Sequence, residues 1–349
     1  MKLGVIAENP IERVILALGL APVTLMDTQI SFIRARAIMV GTRVGLFESL
    51  AGAPLSARDV ASRCQTHPAA TEKLLSALVG SGYLRFDGAR YSLAPVARKW
   101  VLGESRTSLR NKILFEFLEW AFVERFEDFV RTGQTVALHA ASSPADWASY
   151  QQGMRALASV GAPEVIRRTP VPAGATKLLD VGGSHGFLSV SLCRRHPQLT
   201  AVVLDLPEAV RQAAPILAAE NMGDRVTHWA ADAATADLGT GAWDVIFVSQ
   251  LLHHFDEATN RALVARAAAA LKPGGMFAVL ELVRSASPQR AGQVGSLLDL
   301  YFALTSHSGT WSVEEIAEWD RAAGLALRKP IRLRTIPGAV EIIATKPKQ

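Results

Sequence analysis

Residues 177–186, with the sequence KLLDVGGSHG, constrain the fold of this chain more than any other stretch. Leu178, Leu179 and Val181 form a short apolar run that stops at two adjacent glycines, and an apolar helical pattern begins at Phe187. This order predicts a strand, a tight glycine turn and a helix, which together open a βαβ unit. Because glycine tolerates backbone angles forbidden to other residues, such a turn lets a ligand approach the main chain closely.

A second apolar run, at residues 201–204, ends at Asp205. An acidic side chain at such a strand end can accept hydrogen bonds from both hydroxyls of a ribose. A dinucleotide site has the pattern G-x-G-x-x-G, but Ser184 stands where its second glycine would be, and no G-x-x-x-x-G-K-[ST] phosphate loop surrounds the turn. Since the unpaired N–H groups of the next helix favour an anion, we predict a nucleoside cofactor that carries a carboxylate rather than a string of phosphates.

The chain beyond Asp205 alternates between strand patterns and helical patterns. Strands are predicted near residues 225–230, 243–248, 276–282, 325–334 and 339–345, and helices at 207–220, 260–271 and 312–323. The sequence KPGG at 272–275 is predicted to stop the second of these helices. Repeated β–α units predict an α/β fold with a mostly parallel sheet, which binds ligands beyond the carboxyl ends of its strands.

The first part of the chain is predicted to be mostly helical. Residues 55–93 give a helix, a turn, a second helix and a hairpin around Asp87-Gly88, which is the order of elements in a winged helix. A DNA reader needs several cationic side chains, but the second helix, at 69–78, carries one lysine beside a glutamate. We therefore predict that this module packs against another subunit. Aromatic-rich helices at 110–165 follow, and we place the domain boundary between residues 165 and 166.

Composition narrows the class of protein further. Of the 349 residues, 49% are hydrophobic and 20% are charged, which is typical of a globular protein. The two cysteines form no disulfide framework and favour the cytoplasm, and the apolar stretch at 14–25 is too short to cross a bilayer. The formal net charge is +5, but the arginines are scattered rather than clustered. We expect neither a membrane nor a nucleic-acid partner.

Several motifs together resemble the class I S-adenosylmethionine-dependent methyltransferases. They are VGGSHG at 181–186, DLP at 205–207, Asp232, LLHHFDE at 251–257 and LKPGG at 271–275. More narrowly, the chain resembles the caffeic acid and acetylserotonin O-methyltransferase-like family, which includes bacterial natural-product enzymes. The resemblance covers nearly the whole chain. It implies a Rossmann-like domain with a seven-stranded, mostly parallel sheet at 166–349, and a helical, winged-helix dimerisation and substrate-lid domain at 1–165. It also implies a homodimer that acts on a small-molecule acceptor.

The resemblance also assigns cofactor-binding positions for S-adenosyl-L-methionine and its product S-adenosyl-L-homocysteine. Gly182 and Gly183 would pass under the methionine part, Asp205 would bind the ribose and Leu206 would lie against the adenine. The remaining implied positions are Asp180 at the strand end, Asp232 and Ala233 at the adenine edge, and Ser249 near the sulfonium. The sequence departs from the family pattern at Ser184, which replaces a third consecutive glycine, and at Ser249, which is often lysine in the plant enzymes.

Methyl transfer from a sulfonium is an in-line displacement, so alignment and the exclusion of water are the main tasks of the protein. A hydroxyl acceptor also has to lose its proton, and a histidine suits that step. The resemblance implies that His253 is this general base and that Glu281 orients it. The family's second orienting glutamate falls near Thr310-Trp311 and is absent. The alternative is that the ring of His253 only packs beneath the cofactor.

Acceptor contacts are implied for four residues: Tyr150, Met154, Phe302 and His307. Two other functions remain open at this point. His254 and His307 could hold a metal ion that chelates an α-keto acid, which would give C-methylation, although the leading interpretation needs no metal. Alternatively, the chain could be a regulator that senses S-adenosylmethionine without catalysis. A dehydrogenase is disfavoured by Ser184 in the glycine turn.

Overall fold

The computed structural model describes residues 3–136, 138, 142–306 and 308–348, which form two compact units, Lys2–Phe117 and Leu118–Gln349. This division differs from the predicted boundary between residues 165 and 166. The reason is the helix Pro144–Arg168, whose Ala162 and Val165 are buried, the latter in the same core cluster as strand residues such as Leu178. An aromatic-rich helical segment therefore belongs to the second unit.

The first unit contains seven α-helices, a π-helix at Met26–Ile30 and one hairpin among its described residues, and an eighth α-helix runs across the boundary. They are α1 Pro10–Ala17, α2 Val23–Leu25, α3 Ser31–Arg43, α4 Leu46–Ser49, α5 Ala57–Cys64, α6 Pro68–Gly80, β1 Leu84–Phe86, β2 Tyr91–Leu93, α7 Pro95–Trp100 and α8 Arg110–Val123. Ser56 caps α5 by accepting a hydrogen bond from the Asp59 N–H. Asp87 closes the hairpin by accepting from the N–H groups of Ala89 and Arg90. The predicted order of helix, helix and hairpin is therefore present.

The second unit alternates helices and strands. Its elements are α9 Phe126–Thr132, α10 Pro144–Arg168, β3 Lys177–Val181, α11 Phe187–Arg195, β4 Thr200–Asp205, α12 Pro207–Ala219, β5 Val226–Ala230, β6 Trp243–Ser249, α13 Glu257–Ala270, β7 Leu271–Leu282, α14 Gln293–Thr305, α15 Val313–Ala322, β8 Ala326–Leu327, β9 Ile331–Arg332 and β10 Ala339–Thr345. Among the described residues, no helix combines the length and the apolar composition needed to cross a membrane.

The strands of this unit form one sheet in the order β5-β4-β3-β6-β7-β10-β8. The first five strands are parallel, and β10 is antiparallel to β7. Both β8 and β9 pair with the free edge of β10, so the seventh place in the sheet is filled by two short pieces. Pro330, which has no N–H to donate, lies between these pieces. The predicted seven-stranded, mostly parallel sheet is thus confirmed.

Side chains from alternate strand positions form the two cores of this unit. Leu179, Val181, Ile246 and Val248 belong to one buried cluster, whereas Leu178, Val245 and Phe247 belong to the other. Because successive side chains of a strand point to opposite faces, both faces of the sheet are covered. This burial fixes the register of the strands. It therefore fixes the places where β3, β4 and β6 end.

One predicted boundary differs in detail. The helix α13 ends at Ala270, and β7 already begins at Leu271, which pairs with Trp243 before the register shifts. The KPGG segment therefore lies at a register irregularity inside a strand rather than in a connection before one. Gly274 adopts a φ of +79°, a left-handed conformation that favours glycine.

Candidate active site

The glycine turn after β3 is packed too tightly to accept side chains. Gly182 adopts a φ of +71°, and its N–H donates to the Leu204 carbonyl at 2.7 Å. A Cβ on Gly182 would lie 2.7 Å from Leu251 Cδ1, and one on Gly183 would lie 2.5 Å from Asp180 Cγ. Gly182 is therefore favoured by its backbone conformation, and Gly183 by the close packing of Asp180 against it.

Asp205, at the end of β4, holds this turn in place. Its Oδ2 accepts a hydrogen bond from the Ser184 N–H at 2.7 Å, and its Oδ1 accepts one from the Leu206 N–H at 2.8 Å. Each oxygen keeps a lone pair for a further donor. Burial raises the pKa of Asp205 to about 6, against the effect of the two N–H donors. Near neutral pH the carboxylate is therefore mostly ionised and can accept from ligand hydroxyls.

A cavity opens beyond the carboxyl ends of the strands, with about 590 Å³ of space including its open mouth. Six of the predicted site residues line it: Tyr150, Gly182, Asp205, Leu206, Asp232 and Ala233. Eight further residues complete the lining: Trp147, Gln151, Ser184, Ala209, Gln250, Leu251, His254 and Phe255. The predicted ribose carboxylate, glycine turn and adenine edge therefore face one space.

Other predicted cofactor residues lie beneath or beside this cavity rather than in its lining. Asp180 is only 1% exposed and accepts a hydrogen bond from Ser189 Oγ at 2.6 Å, while its Oδ1 has no partner. Burial raises the pKa of Asp180 to about 7. Gly183 packs directly above this carboxyl group. Ser249 is the half-buried last residue of β6, beside Leu280 of β7.

His253 and Glu281 form a buried pair. His253 Nδ1 lies 3.1 Å from Glu281 Oε2, and the two side chains are 3% and 2% exposed. Glu281 Oε1 also accepts hydrogen bonds from the N–H groups of Leu251 and Leu252, both at 2.7 Å. Because an ionised carboxylate only accepts hydrogen bonds, this arrangement keeps the proton of a neutral His253 ring on Nδ1. The other ring nitrogen, Nε2, is then left with the lone pair.

Two residues that sequence reasoning did not identify hold the short 3₁₀ helix Leu252–His254, which carries His253. Trp311 Nε1 donates to the Leu252 carbonyl at 3.0 Å. Asn260 Nδ2 donates to the same carbonyl at 2.9 Å, and to the Phe255 carbonyl at 3.2 Å. Trp311 stands where the sequence lacks the expected second glutamate, and it supports the turn through an indole N–H.

The predicted acceptor residues are only partly brought together. Phe302 stacks on the ring of His253, with the ring centroids 4.0 Å apart and an interplanar angle of 28°. Tyr150 lines the cavity, and it meets Trp147 edge-on at 5.7 Å. Burial raises the pKa of the Tyr150 phenol, as do the nearby carboxylates of Asp205 and Glu119. Met154 is half-buried on α10 and is not part of the described cavity lining.

The predicted metal alternative involves His254 and His307. His254 lines the cavity, with its ring centroid 4.2 Å from that of His253. His307 lies outside the described residues. Within the described ranges, no group of three or more His, Cys, Asp or Glu side chains is arranged to hold a metal ion.

Comparison with known proteins places this geometry in a family. The model of the O-methyltransferase domain matches residues 119–326, and that of the O-methyltransferase dimerisation domain matches residues 26–103. The tetracenomycin polyketide synthesis 8-O-methyl transferase of Streptomyces glaucescens is 30% identical over 322 residues, covering 87% of this chain and 91% of the relative. The 3-hydroxy-5-methyl-1-naphthoate 3-O-methyltransferase of Streptomyces sahachiroi is 26% identical over 341 residues, covering 93% and 94%.

A solved structure shows the same fold. The crystal structure of human N-acetylserotonin methyltransferase in complex with S-adenosylmethionine superimposes with a TM-score of 0.83. The sequences are 20% identical, and the match covers 98% of this chain and 99% of the human one. The Rossmann-like arrangement predicted from the sequence is therefore confirmed.

Proposed function

The chain belongs to the family of S-adenosylmethionine-dependent O-methyltransferases, and from that premise we propose that it methylates a hydroxyl group of a small aromatic, polyketide-like metabolite, with His253 as the general base. The observation that carries this proposal is the His253–Glu281 pair, with 3.1 Å between Nδ1 and Oε2. It gives a fixed, buried imidazole beside a cavity of the kind that the cofactor requires.

The residues around the cavity fit S-adenosylmethionine. Asp205 offers two carboxylate oxygens with spare lone pairs, as two ribose hydroxyls need. Gly182 leaves no side chain between the cavity and the main chain. Leu206 and Ala233 supply apolar surface for a flat base, and Asp232 lies next to Ala233. When bound, the cofactor supplies a methyl group on a positively charged sulfur.

The protein's own part in the reaction is to move one proton. His253 Nε2 would take the proton from the acceptor hydroxyl. The residues that line the cavity would hold the cofactor, which would supply the methyl group that replaces this proton. Glu281 then faces an imidazolium, whose charge it stabilises at 3.1 Å. A base of this kind contributes roughly 10²–10⁴-fold in rate.

An aromatic acceptor is supported by the side chains near the base and by the relatives. Trp147 and Tyr150 line the cavity, so flat rings form part of its wall, and Phe302 stacks on His253 outside the described lining. Such surfaces favour planar, apolar ligands. The two bacterial relatives are named for a hydroxylated naphthoate and for a tetracenomycin polyketide. We extend that substrate class to this chain, with Tyr150, Met154 and Phe302 as acceptor contacts.

A homodimer formed through the first unit is part of the proposal. The dimerisation-domain match covers residues 26–103 of that unit. Apolar side chains near its beginning are exposed, including Ile11 at 72%, Val14 at 57% and Phe32 at 52%. An apolar surface of this kind is typical of a protein interface.

Both cysteines are free thiols, which supports a cytoplasmic setting.

The test is an assay of the purified chain with radiolabelled S-adenosylmethionine and a panel of acceptors, matched in ring system but carrying a hydroxyl, an amine or only carbon–hydrogen bonds. We expect label in an O-methyl ether of a hydroxylated bicyclic or larger aromatic acceptor. Transfer only to nitrogen or carbon would contradict the assignment of the acceptor group.

A further inference from the structure

The cavity contains one buried polar group that the proposed mechanism does not use. The Gln151 side chain is completely buried and lines the cavity. Its Oε1 accepts a hydrogen bond of 2.5 Å from Ser184 Oγ, but its Nε2 has no hydrogen-bond partner. A buried N–H group without a partner destabilises a protein, so a ligand that supplies an acceptor explains why the group is retained.

Ser184 is held firmly enough to fix the orientation of this amide. Its N–H donates to Asp205 Oδ2 at 2.7 Å, and its carbonyl accepts from His228 Nε2 at 3.0 Å. The backbone of Ser184 adopts a φ of +55°, a conformation that glycine would take more easily. Ser184, which departs from the glycine pattern, therefore contributes a hydroxyl group. This hydroxyl donates a hydrogen bond to the oxygen of the Gln151 amide.

The helix that carries Gln151 is also anchored beside the turn. The Arg155 guanidinium lies 3.4 Å from the centroid of the Phe187 ring, at the start of α11. The same guanidinium forms an ion pair with Glu220 at 2.7 Å. These contacts come one helical turn after Gln151 along α10, so the amide nitrogen is held in a defined place.

The order of the strands indicates which part of the cofactor reaches Gln151. Asp232 follows β5, Asp205 ends β4 and the glycine turn follows β3, and these three strands are neighbours in that order. A nucleoside with its base near Asp232 and its ribose on Asp205 therefore places its third part at the glycine turn. For S-adenosylmethionine that part is the amino acid, whose carboxylate needs hydrogen-bond donors.

The charges around the cavity make a neutral donor important. Asp205 and Asp232 are the acidic side chains in the described lining, which contains no lysine or arginine. A ligand carboxylate entering there must be bound by dipoles rather than by a cation, and an amide N–H close to the glycine turn is such a dipole. We propose that Gln151, oriented by Ser184, donates the Nε2 hydrogen bond that binds the α-carboxylate of the cofactor's amino-acid end. This inference rests on S-adenosylmethionine being the cofactor.

The test compares two ligands by isothermal titration calorimetry. They are S-adenosylhomocysteine and its decarboxylated analogue, S-adenosyl-3-thiopropylamine, which keeps the nucleoside, the sulfur and the amine. We expect the native protein to bind S-adenosylhomocysteine more tightly than the analogue. Gln151→Met, which keeps the length of the side chain, should weaken binding of S-adenosylhomocysteine about tenfold or more, as expected for one hydrogen bond to a charged group. It should leave binding of the analogue within about twofold.

Two further variants make the result specific. Gln151→Glu keeps the shape but places a negative charge beside the ligand carboxylate, so we expect a larger loss for S-adenosylhomocysteine than with methionine. Asp205→Asn, the matched control, should weaken both ligands by a similar factor because both contain the ribose. Retained binding of the analogue shows that a Gln151 variant is folded.

Three results would overturn the inference. Equal losses for both ligands in Gln151→Met would give the residue a purely structural role. Tighter binding of S-adenosylhomocysteine by Gln151→Glu would mean that this position faces the ammonium group instead. If the native protein binds neither ligand, the proposed function itself fails, an outcome that differs from both of the others.

Discussion

Two carboxylates of the proposed site, Asp205 and Glu281, are engaged to different degrees. Asp205 is half-buried, lines the cavity and accepts one backbone N–H on each oxygen. Glu281 is 2% exposed and accepts two backbone N–H groups as well as facing the His253 ring. Asp205 can therefore still accept hydrogen bonds from a ligand, whereas Glu281 is already bonded to groups of the protein. This difference fits the proposed roles, in which Asp205 binds the cofactor and Glu281 positions the base.

The largest effect that tests this separation comes from His253→Ala. We expect kcat to fall about 10²–10⁴-fold, because the variant has no group to take the acceptor proton. The affinity for S-adenosylhomocysteine, measured by calorimetry, should change less than twofold. His196→Ala, at the end of α11, is the control and should leave both quantities unchanged. A normal kcat in His253→Ala would mean that alignment alone carries the reaction.

The next prediction concerns the affinity for the cofactor rather than the rate of the reaction. Asp205→Asn should weaken S-adenosylhomocysteine roughly 10- to 100-fold at pH 7.5, because hydrogen bonds from the ribose to a charged acceptor are lost. Asp244→Asn is the matched control, since Asp244 bonds Thr176, Lys177 and Lys272 instead of lining the cavity. An affinity of Asp205→Asn equal to that of the native protein would remove Asp205 from the site.

The raised pKa of Asp205 predicts the direction in which the affinity for S-adenosylhomocysteine changes with pH. With a pKa of about 6, the group ionises as pH rises through 6 and protonates as pH falls through it. The affinity of the native protein for S-adenosylhomocysteine should therefore decrease between pH 7.5 and pH 5, and the decrease should be smaller in Asp205→Asn. The same slope in both proteins would assign the titration to another group.

A smaller effect is expected when the positioning carboxylate is neutralised. Glu281→Gln keeps the shape and one acceptor oxygen but no longer stabilises an imidazolium. We expect kcat to fall about tenfold, while the affinity for S-adenosylhomocysteine changes less than twofold. Glu341→Gln, a buried glutamate on the neighbouring strand β10, is the matched control and should leave kcat unchanged. An unchanged kcat in Glu281→Gln would separate Glu281 from the proton transfer.

The smallest effect concerns the support of the base. Trp311→Phe removes one hydrogen bond to the Leu252 carbonyl, while Asn260 still donates to it. Since a neutral hydrogen bond contributes about 0.5–1.5 kcal/mol, we expect a two- to fivefold loss in kcat and unchanged cofactor affinity. Trp243→Phe removes a similar indole bond, to the Leu238 carbonyl, and should leave kcat unchanged. If Trp311→Phe lowered the cofactor affinity and left kcat unchanged, Trp311 would support cofactor binding rather than the base.

Most of the proposed cofactor-binding residues could be predicted from the sequence, because they lie at the ends of strands. Apolar runs fix β3 and β4, the glycines after β3 fix the turn, and Asp205 must then follow its strand. The pattern carries this information locally, within about thirty residues, as βαβ units do. The resemblance to a known family implied roles for these residues, but not their geometry.

The remaining residues depend on contacts between distant parts of the chain. Gln151 meets Ser184 across 33 positions, and Trp311 meets Leu252 across 59. Nothing in the local pattern marks either residue as polar support for a site. The domain boundary was also unpredictable from composition, since the aromatic pattern of residues 110–165 does not say which unit the helices cover. Tertiary packing decides that question, and it assigns α10 to the sheet.

Binding of the nucleoside by the glycine turn and Asp205 is tested most directly by a crystal structure of the protein with S-adenosylhomocysteine. Both ribose hydroxyls should lie within hydrogen-bond distance of the Asp205 carboxylate, with the amino-acid end at the turn that follows β3. A ligand bound with its ribose away from Asp205 would contradict this placement.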